Sequence, residues 1–301
     1  MSLVTYANAE INGDTVGNQN GGLKGFSFSA ISTFKSCPKS FELKYIQKLP
    51  EAFKSIEAYM GNCVHEVLEW AYKQRNDEQE PSLDAAIQKF KEQWSSGDFR
   101  AIKVIKETKT KEDYYYLGLE YIGYYFTTVF PEDRSETLYL EQRFQIPMIV
   151  DGQEVIYRGI IDRIGKEADG TIRVTDYKTG KVGNPLDTLQ LPSYALYIFL
   201  HNIDQHVELC IEDLKMKRTV VEQFTRKEVK KVKEALVKDI VAIRATPIAK
   251  MEPKPSILCL WCGYNHICPA QQGHGQIITQ SVPTNQTSQY TNFKANQHRH
   301  L

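Results

Sequence analysis

Two short apolar stretches joined by a polar turn constrain the fold of this chain more than any other feature. The first includes residues 160–164, the second contains Ile172 and Val174, and a polar turn at residues 168–170 lies between them. Short runs rich in isoleucine and valine, separated by a turn that contains glycine, are typical of two adjacent strands. The sequence therefore predicts a β-hairpin near the middle of the chain.

Two carboxylates and a lysine fall on this hairpin. Asp162 belongs to its first strand, and Asp176 and Lys178 belong to its second. Because side chains alternate along a strand, Asp176 and Lys178 share one face and Tyr177 points to the other. Carboxylates bind hard divalent cations, and an ammonium group beside such a cation can polarise water. The hairpin is therefore a candidate hydrolytic site, although each aspartate taken alone is more typical of a solvated turn residue.

The balance of charges limits the partners of the chain. Its 301 residues include 37 basic and 37 acidic side chains, so no overall basic field attracts nucleic acid. Any nucleic-acid binding depends on local basic segments, such as residues 215–218 and 226–238. No run of about 18 apolar residues occurs, and the N-terminus lacks the blocks of a secretory signal. We therefore expect a soluble, cytoplasmic protein without membrane contact.

Periodicity on both sides of the hairpin predicts an α/β fold. Ser29 and Ser32 are candidate N-caps of a first helix that is interrupted at Cys37-Pro38. The helical pattern then covers residues 58–73, most of 82–130, 187–200 and 226–244, and strand patterns cover residues 137–148, 207–214 and 219–224. A helix between two strands next to the acidic pair implies a mixed β-sheet flanked by helices. The polar residues 1–25 and 271–301 are predicted to be disordered.

Three further polar residues are candidate site residues. His65 shares a helix stripe with Gly61 and Glu69, and the small glycine one turn earlier allows another group to approach the imidazole. Gln190 and Tyr194 lie four positions apart on the helix that follows the acidic strand. A lone histidine is more typical of a helix interface, and the glutamine–tyrosine pair is equally compatible with a structural hydrogen bond.

The six cysteines point to a metal centre near the C-terminus. Cys259, Cys262 and Cys268 follow the spacing C-x2-C-x5-C, and three close thiolates need a fourth ligand. His266 could complete a local zinc site, whereas Cys37 could complete a site through the fold. Cysteines of a cytosolic chain are more typical of metal ligands or reduced thiols than of disulfides. The two remaining cysteines, Cys63 and Cys210, match no motif and are interpreted as buried thiols.

Six segments in order resemble one family of enzymes. They are SFSAISTFKSCPKSFELKY, GNCVHEVLEW, GIIDRIG, VTDYKTGK, QLPSY and CLWCGYNHIC, which together span residues 26–269. This series resembles RecB-type nucleases of the PD-(D/E)XK superfamily, in the branch of CRISPR-associated exonucleases and AddB-like iron–sulfur proteins. The resemblance implies a restriction-endonuclease-like nuclease domain over residues 26–270, with a helical insertion at about residues 75–135. Asp176 stands where the family often has glutamate.

The resemblance also implies an activity and its cofactors. The activity is metal-dependent exonucleolytic cleavage of DNA, preferentially single-stranded, with a helicase or a CRISPR integrase as a possible partner. The implied Mg²⁺ or Mn²⁺ ligands are His65, Asp162, Asp176 and the backbone carbonyl of Tyr177. Lys178 would orient water, with Gln190 and Tyr194 steadying Lys178 or the phosphate. A 4Fe-4S cluster would be held by Cys37 and by three cysteines within residues 255–270, namely Cys259, Cys262 and Cys268. The cluster would join the N- and C-terminal parts of the domain.

Two other classes of protein remain compatible with the sequence. One is a nuclease-like scaffold or partner subunit that binds DNA without cleaving it. The other is a zinc-stabilised DNA-binding protein that does not hydrolyse DNA. An iron–sulfur protein is brown and a zinc protein is colourless, so the colour of the purified protein distinguishes the second alternative from the iron–sulfur nuclease.

Overall fold

The computed structural model describes residues 23–180, 188–201 and 206–272. The segments predicted to be disordered, residues 1–25 and 271–301, lie almost entirely outside these ranges. None of the helices within the described ranges has the length and apolar character that crossing a membrane requires.

Eight strands and eight α-helices make up the described chain. The strands are β1 (Gly25–Phe26), β2 (Lys54–Ser55), β3 (Ile102–Lys103), β4 (Glu136–Val150), β5 (Gln153–Lys166), β6 (Ile172–Lys178), β7 (Val207–Asp213) and β8 (Arg218–Phe224). The helices are α1 (Phe28–Ser36), α2 (Pro38–Phe41), α3 (Ile56–Asn76), α4 (Leu83–Ser95), α5 (Lys111–Tyr124), α6 (Gln190–His201), α7 (Arg226–Ala245) and α8 (Pro269–Gln272). Residues Glu42–Ile46 and Tyr125–Val129 continue α2 and α5 as π-helical turns.

Six strands form one mixed sheet, which confirms the predicted architecture. The path through the sheet is β1-β5-β6-β7-β8, and β4 pairs with the other edge of β5. The β4–β5, β5–β6 and β7–β8 pairs are antiparallel, whereas β1–β5 and β6–β7 are parallel. Parallel neighbours need a crossover, and α6 provides it between β6 and β7.

A two-residue turn sets the register of the longest hairpin. Val150 pairs with Gln153, and the intervening Asp151 and Gly152 have φ angles of 51° and 71°. Left-handed values at both turn positions are those of a type I′ turn, which Asp-Gly favours. The turn allows β4 and β5 to pair over 15 and 14 residues, so β4 is longer at both ends than the strand predicted over residues 137–148.

The sheet separates two apolar cores. Helices α1, α6 and α7 pack on one face, where Val174 and Tyr157 of the sheet meet Leu196 and Leu236 of the helices. Helices α3, α4 and α5 pack together in a second core that includes Tyr177 of β6. Alternation along β6 therefore sends Tyr177 into the layer opposite to that of Val174, as the sequence predicts.

The start of the first helix differs from the prediction. Ser27, and not Ser29 or Ser32, is the N-cap of α1, because its Oγ accepts a hydrogen bond of 3.2 Å from Ala30 N. Both candidate serines instead lie inside the helix. The predicted break at Cys37-Pro38 is confirmed, since Cys37 has an extended backbone between α1 and α2.

A buried guanidinium group joins the sheet to the second core. The side chain of Arg163 is 1% exposed, and it donates to Asp133 Oδ2 at 2.7 Å, Ser135 Oγ at 2.7 Å and Thr137 Oγ1 at 2.9 Å. Its guanidinium carbon lies 3.8 Å from the ring centre of Tyr72 in α3. A buried charge needs a partner of opposite sign and hydrogen bonds, and Arg163 has both.

The polar network continues from Arg163 to the strand that carries Asp176. Tyr72 Oη donates to Asp133 Oδ2 at 2.7 Å and lies 2.7 Å from Tyr125 Oη, which is 3.4 Å from Tyr177 Oη. Burial opposes ionisation of Asp133, but Arg163 and Ser135 outweigh it and lower the pKa of this carboxyl. The network therefore links β5, β6, α3 and the end of α5 through charged and hydroxyl groups.

Replacement of Arg163 with methionine should lower the free energy of unfolding by about 3 kcal/mol, because Asp133 and the hydroxyl groups around it lose their partner. Urea denaturation of the full chain measures this change. Arg143→Met is the matched control, since Arg143 is exposed on β4, and its effect should stay within about 0.5 kcal/mol. A loss below about 1 kcal/mol for Arg163→Met would contradict the structural importance of the buried pair.

Candidate active site

The candidate site lies where β5 and β6 separate. The β5–β6 ladder ends at the pair Arg163 and Thr175, and β1 pairs farther along the same edge of β5 at Ile156 and Tyr157. Within the described ranges, residues 158–162 therefore have no strand partner on that edge. Asp162 is the residue of this gap that lies next to the β5–β6 ladder.

Helix α3 brings the predicted histidine to the gap. Ser55 caps the helix by accepting a hydrogen bond from Ala58 N. His65 lies in the third turn, with Nδ1 3.5 Å from Asp162 Oδ2 and its ring edge-on to Tyr177. Burial lowers the pKa of His65, which favours a neutral imidazole with a free nitrogen lone pair.

Gly61 permits the close approach of α3 to the end of β6. A Cβ atom at this position would lie 2.8 Å from Thr179 Oγ1, closer than carbon and oxygen atoms pack. The sequence predicts that this glycine allows a group to come near the histidine. The neighbouring group is the side chain of Thr179, one residue after Lys178.

The two predicted aspartates lie on adjacent strands and have different surroundings. Asp162 Oδ2 accepts a hydrogen bond of 2.8 Å from the backbone N–H of Tyr177. Burial and the nearby charge of Asp176 raise the pKa of Asp162 to about 8. Asp176 is buried, and its Oδ2 lies 2.6 Å from Lys178 Nζ without the angles of a hydrogen bond. The ammonium group of Lys178 thus lies against Asp176, whereas Asp162 is held by a backbone N–H.

Gln190 joins three of the predicted site residues. Its Oε1 accepts a hydrogen bond of 2.8 Å from Lys178 Nζ. Its Nε2 donates to Asp176 Oδ1 at 3.0 Å and to Tyr194 Oη at 2.9 Å. The predicted helix began at residue 187, which lies outside the described residues, and α6 begins at Gln190 itself. The glutamine–tyrosine pair is therefore a hydrogen-bonding couple and also a neighbour of the acidic site.

Glu141 is a site residue that the sequence analysis did not assign. Among the described residues, His65, Glu141 and Asp162 form a group whose ligand atoms lie within 4.8 Å of one another. Leu140 pairs with Arg163 and Gln142 with Ile161, so Glu141 lies opposite Asp162. Its φ angle of 47° is left-handed, an uncommon conformation that typically marks a functional or strained position.

The group formed by His65, Glu141 and Asp162 fits a divalent cation. Burial and the charges of Asp162 and Glu69 raise the pKa of Glu141 to about 7. Carboxylates that resist ionisation in a shared site, beside a neutral imidazole, are stabilised when a cation binds. Asp176, another predicted ligand, is not in this group. The roles of Asp176 and of the Tyr177 backbone carbonyl as ligands stay predictions.

The four cysteines of the predicted cluster line one cavity of about 270 Å³. Cys37 enters it from the break between α1 and α2, and the other three enter from the turns after Met251. The Sγ atoms of Cys37 and Cys259 accept backbone hydrogen bonds of 3.4 Å from Lys254 N and Ser256 N. His266, the alternative fourth ligand, is exposed and does not line the cavity. Cys63 and Cys210 are buried elsewhere, as predicted.

Comparison with known proteins finds one matching family and individual similar proteins. A sequence profile of the PD-(D/E)XK nuclease superfamily matches residues 25–269. One subunit of the ATP-dependent helicase/deoxyribonuclease of Streptococcus uberis is 28% identical over 179 residues, which cover 56% of this chain and 16% of that protein. The chain thus spans about a sixth of the length of this curated relative. A solved structure described as a candidate exonuclease from Eubacterium rectale aligns with a TM-score of 0.43 and 10% identity, covering 84% of this chain and 89% of that one.

Replacement of Glu141 with glutamine should weaken the binding of Mn²⁺ about ten-fold or more, because cation affinity depends on the number of charged oxygen ligands. Isothermal titration calorimetry with MnCl₂ measures this change. Glu136→Gln removes an exposed carboxylate from the same strand and should leave the affinity unchanged. Equal affinity in Glu141→Gln and the natural chain would remove Glu141 from the cation site.

Proposed function

This chain belongs to the PD-(D/E)XK nuclease superfamily, and from that membership we propose that it is a metal-dependent DNA exonuclease acting on single-stranded ends. The observation that carries the proposal is the position of Lys178. Its ammonium group is held by Asp176 and Gln190 beside a group of residues suited to a divalent cation. This combination of a cation site and a fixed lysine suits phosphodiester hydrolysis.

His65, Glu141 and Asp162 would hold the cation, with Asp176 and the Tyr177 carbonyl as further predicted ligands. Oxygen ligands suit Mg²⁺ and Mn²⁺, and the imidazole nitrogen favours Mn²⁺ slightly. When bound, such a cation polarises the scissile phosphate and lowers the pKa of a coordinated water. Tyr177 assists through its backbone N–H, which fixes Asp162 at 2.8 Å.

Lys178 would act on the water and on the phosphate. An ammonium group has three hydrogen-bond donors, and within residues 23–180, 188–201 and 206–272 Lys178 Nζ contacts only Gln190 Oε1 and Asp176 Oδ2, which leaves one donor for substrate. The side chain is 25% exposed, so substrate can reach this donor. From that position Lys178 orients the attacking water and stabilises negative charge that develops on the phosphate.

Gln190 and Tyr194 are positioning residues in this proposal. Burial and the charge of Asp176 raise the pKa of Tyr194, so its hydroxyl stays protonated at neutral pH. The hydroxyl accepts the second N–H of Gln190, whose first N–H holds Asp176. The amide orientation is thereby fixed, and its Oε1 always faces Lys178.

We also propose that the four cysteines hold a 4Fe-4S cluster with a structural role. They line one cavity, and backbone N–H groups that donate to sulfur stabilise thiolates. Cys37 lines this cavity, whereas His266, which would complete a local zinc site, does not. Such a cluster would tie Cys37 to the chain after α7.

The proposal includes a partner and a location for the protein. The name of the Streptococcus uberis protein describes a helicase/deoxyribonuclease subunit, which supports a helicase as the partner that supplies unpaired ends. The sequence resemblance keeps a CRISPR integrase as the alternative partner. A cytoplasmic location remains part of the proposal, since DNA is the substrate.

The anaerobically purified protein should degrade 5′-labelled linear single-stranded DNA with Mn²⁺ or Mg²⁺, spare a circular single strand, and be inactive in EDTA. Lys178→Ala should lower the rate at least about 10²-fold, because it removes the donor that stabilises the transition state. Denaturing gel electrophoresis measures the rate. Lys166→Ala removes an exposed lysine from the same hairpin and is the matched control.

Cleavage of both the circular and the linear strand would show that the protein is an endonuclease. If neither substrate is cleaved, the result would favour the nuclease-like scaffold. Full activity of Lys178→Ala would refute the role given to this lysine, whatever the substrate.

Cys262→Ser should abolish the brown colour and the bound iron of the anaerobically purified protein, because it removes one of four cluster ligands. Iron and acid-labile sulfide analysis measures the loss. Cys63→Ala removes a buried thiol outside the cavity and should retain the cluster. A colourless natural chain with one bound zinc would contradict the cluster and favour a mononuclear site.

A further inference from the structure

Two segments that precede and follow α4 form a surface of exposed lysines and half-buried aromatic side chains. Two of the aromatic side chains, Tyr59 and Phe99, also pack against the second core. We call the surface formed by the two segments the lysine–aromatic surface, and its residues are Phe53, Lys54, Tyr59, Phe99, Lys103, Lys106, Lys109 and Lys111.

A small sheet aligns the two segments. Strands β2 and β3 pair in parallel, with Lys54 opposite Ile102 and Ser55 opposite Lys103. The backbone N–H of Lys54 also donates to the carbonyl of Ala101 at 2.9 Å. These bonds fix residues that are far apart in sequence into one surface at the N-terminal end of α3.

The lysines of this surface lie over aromatic rings. Lys103 Nζ is 5.0 Å from the ring centre of Phe53, and Lys111 Nζ is 4.5 Å from that of Phe99. The ring of Tyr59 packs edge-on to that of Phe99, with centres 5.5 Å apart. Cations and π faces therefore alternate, as in sites that combine phosphate contacts with stacking.

The positive charge of this surface comes from its five lysines, which are exposed. Four acidic side chains accompany the five basic ones of residues 98–113, and Asp98 pairs with the neighbouring Arg100. Lys106 and Lys111 lie 3.9 Å and 4.0 Å from Glu57 and Glu112, which are weak ion pairs. No described carboxylate lies within 4.0 Å of Lys54, Lys103 or Lys109. These lysines are exposed and available to an anionic partner.

The surface is within reach of the candidate active site. Helix α3 begins at Ile56, next to β2, and His65 lies nine residues later, which is about 13 Å along the helix axis. Ala58 and Asn62 are exposed between them. A nucleic-acid strand with its end at the site can therefore cover this distance with a few nucleotides.

We propose that the lysine–aromatic surface binds the unpaired DNA strand a few nucleotides away from the scissile bond. This inference rests on the proposed function, since the bound strand is the substrate of the proposed nuclease site. When Lys103 and Lys111 turn to the phosphates, they uncover the ring faces of Phe53 and Phe99, on which unpaired bases then stack. Bases in a duplex are already stacked on each other, so the surface selects a single strand over a duplex.

The test is the binding of 5′-fluorescein-labelled oligo(dT)₂₀ and of a 20-base-pair duplex, measured by fluorescence anisotropy in EDTA over a range of NaCl concentrations. The variant Lys103→Ala/Lys106→Ala/Lys109→Ala should bind the single strand about ten-fold more weakly. Its salt dependence should be less steep by about 2, since three phosphate contacts are lost. Phe53→Leu, which keeps apolar volume and removes the ring, should weaken single-strand binding about five-fold and leave duplex binding unchanged.

The matched control removes equal charge through Lys24→Ala/Lys166→Ala/Lys250→Ala. These exposed lysines lie outside the lysine–aromatic surface and outside the basic segments 215–218 and 226–238, and their loss should leave oligo(dT)₂₀ binding unchanged. Thermal unfolding verifies that every variant is folded. Equal weakening by both triple variants, or equal binding of the duplex and the single strand, would overturn the inference.

The same proteins separate this inference from the proposed function. A natural chain that binds oligo(dT)₂₀ through this surface but leaves it intact with Mn²⁺ would refute the nuclease and retain the surface. A natural chain that cleaves the oligonucleotide, together with triple and Phe53→Leu variants that bind and cleave equally well, would refute the surface alone. Absence of binding by the natural chain would overturn the surface in either case.

Discussion

The position of the candidate site depends on one buried ion pair, between Arg163 and Asp133. Arg163 directly follows Asp162 on β5. Because side chains alternate along a strand, the guanidinium group is buried on one face of β5 and the carboxylate lies at the gap on the other face. The guanidinium also packs on Tyr72 at 3.8 Å, and Tyr72 lies two helical turns after His65 on α3. A single side chain therefore fixes both the strand and the helix whose polar residues meet, 3.5 Å apart, at His65 and Asp162. Displacement of either element would separate a ligand from the cation site.

Local patterns were sufficient for most of the fold. The central hairpin, the mixed sheet and the break at Cys37-Pro38 follow from side-chain period and turn residues, which act over a few positions. Glu141 was missed because a glutamate on an alternating strand looks like any solvated residue. The register could have found it: the Asp151-Gly152 turn pairs residue 150 with 153, so counting back places 141 opposite 162. Its left-handed backbone has no local sequence signal.

Contacts between distant segments set the limit of what the sequence could predict. The spacing of Gln190 and Tyr194 predicts that they share a helix face. It does not predict that the amide of Gln190 would bond to Asp176, Lys178 and Tyr194 at once. Likewise, the choice between Cys37 and His266 could not be made from spacing, because it depends on which side chain the packed chain turns towards the cavity. Such choices depend on the whole fold, and the resemblance to a family supplied what local rules did not.

The two-residue turn between β4 and β5 has a consequence for how this chain can change in length. Side chains alternate along strands, so one residue inserted at Asp151-Gly152 would shift the pairing of the whole hairpin and turn Glu141 to the opposite face. The polar turn at residues 168–170 lies at the far end of β6 from Asp176 and Lys178, and added residues there leave the β4–β5 register intact. Insertions and deletions should therefore accumulate at the second turn during evolution, whereas the first turn should keep its length even when its residues change.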